Sequence, residues 1–138
     1  MIDFNQVQKI AVIGLSPNPD KESHNVAKYL QSKDFTIYPI YPKGDEILGQ
    51  KVFQSYDALL DSGIRPDLVD VFRKSEALVE VAKDILDAGA KHGFYPKVVW
   101  FQHGLRNDEA ANLLSQKGIE VIQDACIYME HKFWTHNH

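Results

Sequence analysis

Short continuous apolar runs alternate along this chain with longer segments whose apolar positions recur at helical spacing. Residues 9–13, Lys-Ile-Ala-Val-Ile, form the first run and end at Gly14. Residues 24–33 follow, with Val26, Ala27, Tyr29 and Leu30 on one helical face. A second strand is expected over residues 35–40, where Pro39 makes the end irregular or occupies a place that needs no ladder donor. Residues 43–50 read as a Gly-rich linker and residues 55–61 as a short helix. The third main strand covers residues 68–72. Ser75 then reads as an N-cap, opening a helix to about residue 88 that Gly89 stops. Residues 97–101 form the fourth strand, Asn107 caps a helix to residue 117, Gly118 stops it, and residues 119–122 form the fifth strand. The tail after Glu130 shows no clear element. Strand and helix in strict alternation predict parallel βαβ units, and near-continuous apolar strands predict a sheet covered on both faces. With right-handed crossovers this is a doubly wound α/β architecture of three layers, α/β/α.

Composition narrows the class. The 138 residues suit one domain spanning the chain, and that size buries a core without metal or disulfide staples. A net charge of −4 lacks the basic excess of a nucleic-acid binder, so no nucleic-acid partner is expected. No apolar run approaches the roughly 20 residues that span a membrane, and the first residues do not read as a signal peptide. The single cysteine, Cys126, has no internal disulfide partner, which makes a reducing cytoplasm the expected location.

The most informative stretch is the loop at residues 14–23, between the first strand and its helix. Ligands of such sheets sit beyond the carboxyl ends of the strands, and free amides at a helix N-terminus favour an anion. Gly14 lets the backbone turn and approach a ligand, while Ser16 and Ser23 offer hydroxyls to phosphate oxygens. Taken alone, Ser23 reads more readily as a helix cap. The whole loop, at ten residues, is long for a connection that typically needs about 2–6. It is not the dinucleotide fingerprint, because it carries one glycine where three are required. The second strand ends in Tyr41-Pro42-Lys43, without the acid that holds an NAD ribose. A lysine there suits an additional ribose phosphate, which both NADP and coenzyme A carry; by itself Lys43 is an ordinary solvated charge.

Several segments together resemble a known family. Residues 11–16 (AVIGLS), 23–30, 40–42 (IYP), 47–49 (ILG), 69–73 (VDVFR), 98–102 (VVWFQ) and 124–130 occur in its order along nearly the whole chain. The sequence is similar to the small stand-alone coenzyme A-binding domain proteins, and to the nucleotide-binding domain of succinyl-CoA synthetase α subunits. The resemblance implies a five-stranded Rossmann-like sheet with coenzyme A, or an acyl-CoA, across its upper edge. Gly14, Ser16 and Ser23 would hold the diphosphate, and Pro42 and Lys43 would line the adenosine side with Lys43 near the 3′-phosphate. Phe72 and Arg73 would close the next loop, and Gln102 with Gly104 the one after.

Three features depart from the pattern. Tyr41 replaces a more usual Asn, His103 replaces an uncharged residue, and residues 91–95 look inserted before the fourth strand as a structural or contact segment. No metal site is expected: Glu130, His131, His136 and His138 lie in a terminal run with little preorganisation. Cys126 reads as a small core residue near the site; a disulfide to the coenzyme thiol is the alternative. Asp67, Asp70, Glu76 and Asp124 form no recognisable acid/base pair, and the phosphorylated histidine of the synthetases belongs to a second domain with no counterpart in these residues. Binding of a small-molecule nucleotide cofactor without catalysis is therefore expected. The alternatives are an NADP-binding oxidoreductase and a regulatory protein with a vestigial cleft. A homo-oligomer or an unidentified protein partner stays open.

Overall fold

The computed structural model describes residues 2–138. In chain order the elements are β1 (Lys9–Ile13), α1 (Glu22–Ser32), β2 (Thr36–Ile40), β3 (Glu46–Ile47), β4 (Gln50–Lys51), α2 (Tyr56–Asp61), β5 (Leu68–Val71), α3 (Leu78–His92), β6 (Val98–Phe101), α4 (Asp108–Ser115), β7 (Glu120–Ile122) and α5 (Ile127–Asn137). Five strands form one parallel sheet in the order β2-β1-β5-β6-β7. The chain steps outward from β1 to β2, then returns across β1 to β5 and continues the other way. Strand order therefore reverses between β1 and β5, as expected of a doubly wound sheet.

Side chains alternate between the two faces. Ala11, Ile13, Val69, Val71, Val99 and Phe101 pack against Leu59 and Leu60 of α2, Leu78, Val81 and Ile85 of α3, and Leu114 of α4. Ile10, Val12, Leu68, Val98 and Trp100 pack against Val26 and Leu30 of α1 and Ile127 of α5. Both faces are thus covered, which explains why β5 and β6 are apolar almost without break. Pro39 sits on the edge strand: its carbonyl accepts from Phe53 N–H on the outer side (2.9 Å), so its missing donor faces away from β1. No helix among the described residues is long and apolar enough to cross a membrane.

The structure corrects four local expectations. Residues 43–50 are not a plain linker but contain the β3–β4 hairpin, turned at Leu48 and Gly49 with φ of 53° and 75°. Two-residue strands are too short to show a period, and the hairpin is anchored in the core by Ile47, with Leu48 packed beside it. Ser75 is not the cap of α3. It opens a 3₁₀ turn, and its hydroxyl accepts from the Arg106 amide (3.2 Å). Gly89 does not stop α3, which runs on to His92 and ends at Gly93 in the left-handed region, φ 69°. Glycine is needed at 89 for space: a Cβ there would collide with the Tyr95 ring. The 91–95 segment is therefore structural. Lys91 and His92 bond Asp57 of α2 (3.2 and 3.0 Å), and Phe94 and Tyr95 pack on the core.

The fourth correction concerns the tail, which continues as α5. Gln102 Oε1 accepts from Ile127 N–H at its start (3.2 Å), and Trp100 Nε1–H donates to the Ala125 carbonyl (2.7 Å). His131 is buried among the rings of Phe4, Phe35 and Trp134, with Nδ1 2.8 Å from the Tyr29 hydroxyl. Burial, with a smaller effect of Lys33, lowers its pKa, so the neutral ring is favoured.

Asp70 lies in the central strand, level with Val12 and Trp100, fully buried and with neither carboxyl oxygen hydrogen-bonded. Burial, reinforced by the Glu22 carboxylate, raises its pKa well above the ordinary carboxylate range.

Two predictions follow from this packing. The folded state keeps the Asp70 proton over a range where the unfolded chain loses it, so Asp70 reduces stability as pH rises above about 4. Relative to wild type, Asp70→Asn should gain up to about 1.4 kcal/mol per pH unit until the raised pKa is reached. Urea unfolding of both proteins at about pH 4.5 and about pH 7.5 measures this, and a pH-independent difference would contradict it. Gly89→Ala should lower Tm, because overpacking of about 1–3 kcal/mol outweighs the roughly 1 kcal/mol helix-propensity gain. A raised Tm would show that Tyr95 yields freely.

Candidate functional site

The carboxyl ends of β1 and β5 meet at the reversal of strand order. Phe72 N–H donates to the Ile13 carbonyl and Gly14 N–H to the Ile40 carbonyl, both at 2.9 Å, so three neighbouring strand ends are tied together. Gly14 has φ 84°, and a Cβ would strike the Phe72 carbonyl oxygen. Its glycine is thus demanded by the chain itself, before any ligand is considered.

The loop beyond it is held by its own hydrogen bonds. Ser23 is buried, and its Oγ accepts from Ser16 N–H (3.0 Å). Ser16 Oγ accepts from Asn18 N–H (3.1 Å), His24 Nδ1 lies 2.9 Å from the Ser16 carbonyl, and Asn25 Nδ2 donates to the Pro19 carbonyl (3.1 Å). Ser23 is not the cap of α1; Lys21 holds that position without a side-chain bond. Accepting from Ser16 leaves the Ser23 O–H proton uncommitted among the described residues.

Three adjoining cavities run along this edge of the sheet. The first, about 400 Å³, is lined by Gly14, Tyr41, Pro42, Gln54, Phe72 and Arg73 with the ends of β1 and β2. The second, about 420 Å³, shares Phe72 and Arg73 with it and adds Glu22, Lys74, Gln102, His103 and Leu105. The third, about 510 Å³, shares Glu22 and His103 with the second and adds Asn25, Val26, Cys126, Tyr128 and Met129. Side by side, with these shared side chains between them, the three line the edge as a groove from the end of β2 to the start of α5. A further cavity of about 430 Å³ branches down the α2–α3 face and also takes in Arg73. Arg73 thus stands at a junction of the cavities.

The structure brings Gly14, Pro42, Phe72, Arg73 and Gln102 together in this groove. Ser16 and Ser23 shape the adjoining loop without lining a cavity, and the exposed Lys43 lies just past Pro42 outside the lining. Gly104, φ 83°, has a structural tie: its N–H donates to Asp124 Oδ1 (2.6 Å), which joins the loops after β6 and β7. His103 is exposed on the groove rim, with Nδ1 3.6 Å from the same carboxylate. Gln102 is almost wholly buried, and while its Oε1 serves Ile127, its Nε2 has no partner. Gln102 contributes to the wall of the second cavity, while its unpaired Nε2 is itself buried beneath that wall.

Cys126 is partly buried, packs on the Trp100 layer and lines the third cavity. Among the described residues no group of three or more His, Cys, Asp or Glu could hold a metal ion. Gln54, Lys74 and the α1–α5 cavity lacked any sequence motif. Gln54 follows Phe53, which reaches the site only through its bridge to Ile40.

Comparison with known proteins agrees with this geometry. Residues 8–132 match the family described as CoA binding domain. The uncharacterized protein YneT of Bacillus subtilis (strain 168) is 43% identical over 124 residues, covering 90% of this chain and 85% of its own. A solved structure from Thermus thermophilus, cell-free ID.343, superposes with a TM-score of 0.79 at 32% identity, over 94% of this chain and 91% of its own. At the level of fold alone, the dinucleotide-forming acetyl-coenzyme A synthetase 1 of Ca. Korarchaeum cryptofilum aligns with a TM-score of 0.68 at 22% identity, over 86% of this chain and 27% of its own. With a sheet that reverses at a Gly14-closed edge and a family match over nearly its whole length, the chain belongs to the CoA binding domain family.

Proposed function

We propose that the protein binds coenzyme A or an acyl-CoA in the groove along the carboxyl edge of β1, β5 and β6. The observation that carries this reading is the continuity of the groove through Arg73, in a chain of this family. An extended ligand with a nucleotide at one end and a thiol arm at the other needs such a shape. The adenosine occupies the cleft of Gly14, Tyr41 and Pro42. Lys43, long and exposed, reaches the 3′-phosphate from outside the lining. The diphosphate rests between the loop at residues 14–23, where it enters α1, and the Arg73 guanidinium, whose fork suits bidentate phosphate contacts. The Ser16 and Ser23 hydroxyls lie on the same side of the diphosphate. The pantetheine arm then passes Phe72 and the wall at Gln102, beside the Gly104 turn.

This pose assigns no chemical step to the protein. It uses each side chain as a donor, a cation or a wall.

Isothermal titration with coenzyme A tests the pose. Arg73→Ala should weaken binding at least about tenfold, because charge-assisted phosphate bonds are worth about 1.5–3 kcal/mol. Lys43→Ala should weaken it less, and its effect should shrink as salt is raised. Binding of NADP without binding of coenzyme A would refute the reading, as would unchanged affinity in both variants.

A further inference from the structure

We infer that the cavity between α1 and α5 receives an aliphatic acyl chain, so that the preferred ligand is an acyl-CoA with a short to medium chain rather than free coenzyme A. This rests on the binding reading above and goes beyond it by naming the class of thioester.

Position is the first argument. The cavity is the far end of the groove, joined to the Gln102 cleft through Glu22 and His103. A ligand whose nucleotide lies by Gly14 and whose arm passes Gln102 brings its thiol end to this opening.

The change in wall chemistry is the second. The clefts nearer β2 present Arg73, Lys74, Gln54 and a tyrosine. The terminal cavity presents the buried Val26, with Cys126, Tyr128 and Met129, beside the Asn25 amide, and its ionisable side chains, Glu22 and His103, are those it shares with the second cavity. A free thiol gains little from such walls. An alkyl chain gains with every methylene it buries, about three- to fourfold in affinity each. Its volume, about 510 Å³, falls within the roughly 300–1,000 Å³ typical of small-molecule sites.

The third argument is Met129, which is 60% exposed at the mouth of the cavity. A large apolar side chain left open beside an apolar cavity is surface that a chain would cover. The unbranched thioether adapts to chains of different length.

The experiment is titration of wild type and Met129→Asp with coenzyme A, butyryl-CoA and hexanoyl-CoA, read as the affinity ratio of thioester to free coenzyme A within each protein. In wild type the ratio should rise with chain length, with hexanoyl-CoA at least about tenfold tighter than butyryl-CoA for two added methylenes. In Met129→Asp it should collapse towards one. Binding of coenzyme A with a wild-type ratio near one would overturn the acyl cavity and leave the binding reading standing. A ratio that survives Met129→Asp would overturn its placement between α1 and α5. No binding of any of the three ligands would overturn both readings.

Discussion

The close backbone contact between Gly14 and Phe72 governs the arrangement of this protein. A doubly wound sheet must separate the connections on either side of its reversal, and the gap between them becomes the ligand cleft. Here that gap is closed at its base by Phe72 N–H on the Ile13 carbonyl and by a glycine whose missing Cβ admits the Phe72 carbonyl. Everything above the contact inherits its geometry. Phe72 and Arg73 leave β5 directly over the first loop, and the Arg73 side chain reaches the junction of the cavities because the backbone beneath it can approach so closely.

From that junction the groove changes character in an ordered way. Cations and amide groups lie towards β2 and β5. An unpaired amide donor lies at β6, and carbon-rich walls lie between α1 and α5. The same two helices are bonded to each other on their inner faces. Tyr29 and Tyr128 stack edge to face with centroids 4.4 Å apart, and the Tyr29 hydroxyl meets His131. The terminal cavity is therefore framed by two helices packed on each other on the core side.

The sheet was legible in the sequence because its strands are buried on both faces and so read as unbroken apolar runs. The loop at residues 14–23 stood out by length, and the ordered VDVFR and VVWFQ segments located the edge on which the groove lies. Features built by contacts distant in sequence were not legible. Gly89 looks like a helix stop until Tyr95 is seen filling the space beside it. Ser75 looks like a cap until its hydroxyl is found on Arg106. Helix α5 was hidden because His131 occupies an apolar position, with Ile127, His131 and Trp134 spaced as one helical face. Gln102 stands out in the sequence only as part of the VVWFQ segment; its division into one bonded oxygen and one orphaned nitrogen follows from the docking of α5. Gln54 and Lys74 carry no local pattern and reach the groove only through tertiary structure.

The central claim is that one extended nucleotide thioester lies along the carboxyl edge from β2 to α5. Amide chemical-shift mapping by NMR during titration with hexanoyl-CoA tests it most directly. The account predicts a continuous track of perturbed amides through Gly14, Arg73, Gln102 and Met129, with the α2–α3 cavity around Asp84 and Asp87 unaffected. Perturbations confined to that α2–α3 cavity, or none at saturating ligand, would contradict it.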